Sequence, residues 1–125
     1  MTTTRTLIRW TTLLAGISFG LLLLNSAIFR AWVAGGPPND NPTGWVFSAW
    51  NYTAWSGAAF LAGLGSFLLL RLPRPTRLGV ACMAVAAVLA AVPWFREFVA
   101  TDICLDSGGR WSGPELRCIH GPDEA

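Results

Sequence analysis

The sequence predicts an all-α membrane protein, with three transmembrane helices, the N-terminus inside and the C-terminus outside, and a small disulfide-stapled tail. Three observations carry that reading. Charge-free runs of twenty, twenty-six and eighteen residues fall at Trp10–Phe29, Trp45–Leu70 and Leu78–Phe95. A helix needs about 20 apolar residues to cross a bilayer, and a backbone in lipid must satisfy its own hydrogen bonds by forming one. Only 13% of the 125 residues are charged, where soluble domains carry about 25%. Cys104 and Cys118 both lie beyond the last apolar run.

The elements follow in order. Met1–Arg9 is polar and basic, and the run that follows is longer than the roughly 7–15 apolar residues of a secretory leader. No small-residue cleavage site follows it, so an uncleaved first helix is expected over about 10–33. Gly35–Gly44 reads GGPPNDNPTG and is a turn-rich loop. A second helix is expected over about 45–70. The segment RLPRPTR then breaks the helix with Pro73 and Pro75. A third helix is expected over about 78–98, with Pro93 kinking it or marking its last turn, and helix persisting at most to about Ala100. The chain thus divides into a three-helix bundle, 1–100, and a polar, acidic tail, 101–125, too short for a core of its own.

Orientation comes from the arginines, the only strongly basic side chains in the chain. Arg5 and Arg9 precede the first helix, and Arg71, Arg74 and Arg77 lie between the second and third. Three spans place these five on one side, and such flanks are cytoplasmic. The acids collect on the other side: Asp40 in the first loop, and Glu97, Asp102, Asp106, Glu115, Asp123 and Glu124 beyond the third apolar run. The expected location is therefore a bacterial inner membrane, multi-pass, with a periplasmic C-terminus.

The cysteines agree. A disulfide persists outside the cytosol. A Cys104–Cys118 bridge closes CLDSGGRWSGPELRC, with Ser107-Gly108-Gly109 as a turn signal inside it. A loop of that size gains about 3 kcal/mol in the chain-entropy model. The alternative is a redox pair, but the spacing is wide and no CxxC occurs. Cys82, among Ala and Val, reads as a packed thiol. The stretch Cys104-Leu105-Asp106-Ser107-Gly108-Gly109-Arg110-Trp111, closed by Cys118, resembles the CLDxGGxW…C tail of small uncharacterised bacterial inner-membrane and periplasmic proteins. The likeness covers about fifteen residues of 125. It implies a bacterial envelope setting and a disulfide, and no activity.

Helices in lipid associate through small residues and a few hydrogen bonds. The first helix has Gly16 and Gly20 one turn apart. The second has an unbroken ridge, Ala54, Ala58, Ala62 and Ser66, and the third has Cys82, Ala86 and Ala90 beside Ala87. These faces fit an internal bundle, yet three helices cannot bury all of them, so a membrane-protein partner or self-association is expected besides the lipid bilayer. Asn25 and Asn51 are expected to bond between helices. Trp10 marks the inner interface, and Trp32, Trp45, Trp50 and Trp94 the outer one.

Signatures of chemistry are few. One histidine, His120, lies in the tail, and no carboxylate lies within a span. No catalytic set, cofactor motif or metal-spaced cluster is present, and the few arginines form no surface for nucleic acid. Arg30 either snorkels to the interface or binds an anionic group in a cavity. Trp111 either covers the disulfide or rests on the headgroups, or, with Arg110, docks on a partner. The reading is a non-catalytic small inner-membrane accessory or assembly subunit of a larger membrane complex. Two other classes compete: a membrane immunity-type protein that binds a toxin through its periplasmic cap, and a small homo-oligomeric transporter or channel.

Overall fold

The chain was analysed as a computed structural model, which describes residues 2–71 and 73–122. Three helices, α1 (Thr2–Gly35), α2 (Pro42–Arg71) and α3 (Arg77–Asp106), are followed by a two-stranded hairpin, β1 (Arg110–Ser112) and β2 (Arg117–Ile119). Each helix is long and apolar enough to cross a bilayer, with mean hydropathy of 1.9, 1.5 and 2.2 over its most apolar stretch. At about 1.5 Å per residue each exceeds the roughly 30 Å hydrocarbon core, so helix ends project beyond it. Large apolar side chains such as Leu14, Leu22, Phe29 and Val88 point outward. The fold is that of a multi-pass membrane protein.

Local chemistry sets the helix ends. Asn41 caps α2: its side-chain oxygen accepts from Gly44 N at 3.1 Å, with Pro42 in the first helical position. Asn39 in turn accepts from Asn41 N at 3.1 Å, which fixes the loop after α1. Thr76 caps α3 by accepting from Gly79 N at 3.0 Å.

The third helix runs further than its sequence suggests. It passes through Pro93 and through the charged pair Arg96-Glu97 to end at Asp106. The tail expected to begin at residue 101 therefore starts as the last turns of α3, and Cys104 is helical. Pro93 cannot bond the carbonyl four residues back, a loss that helices in lipid absorb through neighbouring groups. Beside it, the Trp55 indole N–H donates to Ala90 O at 3.2 Å, joining α2 to that turn. Ser107-Gly108-Gly109 then closes the helix: Gly108 is left-handed at φ 82°, and Gly109 N donates to Cys104 O at 3.0 Å. The hairpin's own turn is Gly113–Leu116. Residues 123–125 of the expected tail lie outside the described residues.

The order in space is α1, α2, α3, with α2 in the middle; α1 and α3 each pack on it and meet each other marginally at most. The Cys104–Cys118 disulfide pins β2 to the last turn of α3. We call the end of the bundle that carries the hairpin the capped end.

Candidate functional site

Two features stand out once the helices are in place: an open groove along the bundle, and a cluster of cations and aromatic rings at its capped end.

The groove exists because α1 and α2 close tightly on one stripe of α2 while another stripe stays free. The closed seam is glycine on glycine. A Cβ built on Gly16 would lie 2.6 Å from Gly63 Cα, so only hydrogen fits there. Gly20 faces the Phe60 ring, and its carbonyl accepts from Ser56 Oγ at 2.9 Å. Ser56, Phe60 and Gly63 thus form the stripe that meets α1. At the uncapped end Trp10 packs edge-on against Phe67, with the Arg9 guanidinium 3.9 Å over the same ring. On the other side of α2, Gly65 meets Cys82 and Met83, Gly57 meets Leu89, and Gly79 meets Leu69.

Ala58 and Ala62 lie between these two seams. They form the floor of a groove of about 730 Å³, with Phe19 and Leu23 of α1 on one wall and Met83, Ala86, Ala87 and Ala90 of α3 on the other. Tyr52 and Trp55 close its upper end. The lining is almost wholly apolar, with Tyr52 its one hydroxyl-bearing residue.

At the capped end Arg96 clamps α3 to α2. It donates to Asn51 Oδ1 at 2.7 Å and to Phe47 O at 3.3 Å, and lies 4.4 Å over the Phe47 ring. Hydrogen bonds to a charged group are worth about 1.5–3 kcal/mol, and the buried Asn51 is satisfied by it. Asn25, by contrast, is exposed and joins no other helix through a hydrogen bond. Trp111 rests its ring edge on Phe47 at 5.8 Å and donates to Glu97 Oε1 at 3.3 Å. Its contacts are therefore made inside the chain, while Arg110 beside it is exposed. Asn41 Nδ2 donates to Glu115 O, which lays the hairpin turn on the start of α2. Arg30 lies on the opposite side, 4.3 Å over the Tyr52 ring and 5.6 Å from Trp45, and donates to Tyr52 Oη at 3.4 Å.

The residues singled out in the sequence separate accordingly. Gly16 and Gly20 fall in the α1–α2 seam, Ala58 and Ala62 in the groove, and Ser66 reaches Met83 Sδ of α3 at 3.9 Å. Ala54 is half-buried nearby. Arg30 and Trp111 both sit at the capped end, on different faces. Sequence reasoning passed over Gly63, Ser56, Ser48 and the Arg96 clamp. The four-residue spacing of Ser56, Phe60 and Gly63's turn was masked by the more regular alanine ridge. Arg96 read only as the end of the charge-free run, because its acceptors come from another helix. Among the described residues no three His, Cys, Asp or Glu side chains come together as metal ligands.

Compared with known protein families, curated proteins and solved structures, the chain matches none.

Proposed function

We propose that the protein is a non-catalytic subunit of a larger membrane complex, and that the α1–α3 groove seats a transmembrane helix of its partner. The observation that carries this is the alanine lining of a space the chain leaves unfilled: Ala59, Ala62, Ala87 and Ala90 border it, with the nearly covered Ala58 and Ala86 beneath them. An acyl chain packs on leucine as well as on alanine. A helix backbone gains from alanine, because small residues let it come close enough for dense contact.

The proposed setting is the bacterial inner membrane, with the N-terminus cytoplasmic and the cap periplasmic. The antiparallel helices support it, since they bring Arg5 and Arg9 to the same end as Arg71, Arg74 and Arg77. The disulfide at the opposite end suits an oxidising compartment. A reporter active only in the periplasm is expected to work when fused after the hairpin and to fail at Pro75; the reverse pattern overturns the orientation.

The function is tested by purification in mild detergent with mass spectrometry of what comes along. A stable membrane-protein partner that is lost in Ala62→Leu, with the fold kept, is the expected result. A homo-oligomer that conducts solute favours the transporter class, and a captured toxin the immunity class. Purification as a lone monomer under conditions that preserve known complexes overturns all three.

A further inference from the structure

Beneath the hairpin turn, on the face away from Arg96, lies a second, polar space. It is a cavity of about 260 Å³ bounded by Arg30 of α1, by Asn41, Gly44, Trp45 and Ser48 of α2 and its cap, and by Pro114, Glu115 and Leu116 of the turn. At about 30 Å³ per water it has room for a small tetrahedral ion and a few waters.

Two independent features point to an occupant. First, Ser48 is 94% buried, at 6% relative exposure, yet its hydroxyl makes no hydrogen bond among the described residues. Every other serine or threonine hydroxyl of α2 with so little exposure is bonded; Ser56, at 3%, donates to Gly20 O. The residue is nearly covered, and it borders the cavity, so its unbonded hydroxyl is open to whatever occupies that space. Second, Arg30 has no carboxylate within ion-pair distance among the described residues. Tyr52 and Trp45 lie against its guanidinium through cation–π contacts, and of its five N–H donors one is used, on Tyr52 Oη. The nearby carboxylate of Glu115 is paired with Arg117 Nε at 2.6 Å.

We propose that Arg30 and Ser48, beside the Asn41-capped start of α2, form a binding site for a phosphate group. The planar fork of an arginine matches two phosphate oxygens. The hydroxyl of Ser48 supplies a third donor, and the positive end of the α2 dipole lies on the same side. A tetrahedral oxyanion accepts from donors out of one plane, whereas the lone pairs of a carboxylate lie in a single plane. The exposed rings of Trp32 and Trp50 near this end mark the depth at which lipid headgroups lie. The phosphate is thus either that of an anionic phospholipid or a free ion from the outer solution. The site is separate from the groove, so its failure leaves the subunit reading standing.

The test uses the full chain, stripped of lipid in maltoside micelles, which contain no phosphate. One arm titrates inorganic phosphate calorimetrically, with potassium chloride at matched ionic strength as the blank and acetate as the planar control. The other arm adds phosphatidylglycerol or plain diacylglycerol and counts retained lipid by native mass spectrometry. Saturable binding in at least one arm is expected: phosphate alone identifies the free ion, phosphatidylglycerol alone over diacylglycerol identifies the headgroup. Arg30→Gln abolishes the binding, and Arg30→Lys keeps a weakened form, since charge remains and the fork is gone. Ser48→Ala lowers affinity about tenfold, the size of a hydrogen bond to a charged group, while unfolding without ligand occurs at an unchanged or higher temperature. That variant keeps the test independent of Arg30's packing. Binding in neither arm, equal affinity for acetate, or parental affinity in Ser48→Ala overturns the proposal.

Discussion

The α1–α2 seam and the α1–α3 groove are made of the same kind of residue and end in opposite states. In the seam, Gly16 and Gly63 bring two backbones together until no Cβ fits. In the groove, Ala58, Ala62, Ala86 and Ala87 line an open space, with Ala58 and Ala86 themselves nearly covered. The difference lies in what flanks each stripe. Beside the seam, Ser56 bonds Gly20 O and Trp10 packs on Phe67, drawing α1 onto α2 along its length. Beside the groove, Phe19 and Leu23 of α1 and Met83 of α3 stand as its two walls, and Met83 packs on Gly65 of α2. A run of small residues thus states that a backbone can approach, and its larger neighbours decide whether one does.

That comparison breaks or sharpens in four steps, the largest effect first. The hairpin lies outside both regions, so removing its staple should spare them. Cys104→Ser with Cys118→Ser is expected to cost about 3 kcal/mol in the loop-entropy account. Hydrogen exchange should show the hairpin amides losing protection while those around Gly16 and Gly63 keep theirs. Loss of protection in the seam would mean the cap holds the bundle together. In the parent, thiol labelling under denaturing conditions should modify Cys82 alone before reduction and all three cysteines after it.

The seam itself is probed by Gly16→Leu, where the new side chain meets backbone. Overpacking of this kind costs about 1–3 kcal/mol, and the temperature of thermal aggregation in detergent should fall accordingly. Gly20→Leu is expected to cost less, because it meets the Phe60 ring, which can turn aside. If Gly20→Leu proves the more damaging, the contact is not backbone-limited. The smallest effect on stability belongs to Ala62→Leu, which fills open groove and should leave the unfolding temperature within error of the parent. A large loss there would show that the groove is closed in the membrane.

The sequence revealed the three long helices because a charge-free, apolar run of that length favours a helix. It revealed the disulfide because both cysteines lie close together past the last run. It did not reveal where α3 stops. Pro93 and Arg96 are helix-ending signals in water; here the arginine's donors are met from α2 by Asn51 and Phe47 O, and the Trp55 indole ties the turn before the proline to α2. Nor did it tell which alanines would be covered. The ridge Ala54–Ala58–Ala62–Ser66 has the more regular spacing, yet the seam formed one stripe away, at Ser56, Phe60 and Gly63, because glycine at position 63 admits a closer approach than alanine at 62. Ser48 gave no signal at all, since a lone serine in an apolar run has the same spelling whether its hydroxyl is satisfied or not.

The contact of Gly16 with Gly63 has a consequence for entropy. Neither residue has a side-chain torsion, so closing the seam there freezes no rotamers, whereas ordering a long side chain costs up to about 2 kcal/mol. Alanine shares that property. The groove floor therefore stands already ordered, and a helix that settles on Ala58, Ala62, Ala86 and Ala87 restricts no rotamer at those four positions. The conformational cost of assembly there falls on the incoming chain and on the few larger groups at the rim, Phe19, Leu23 and Met83.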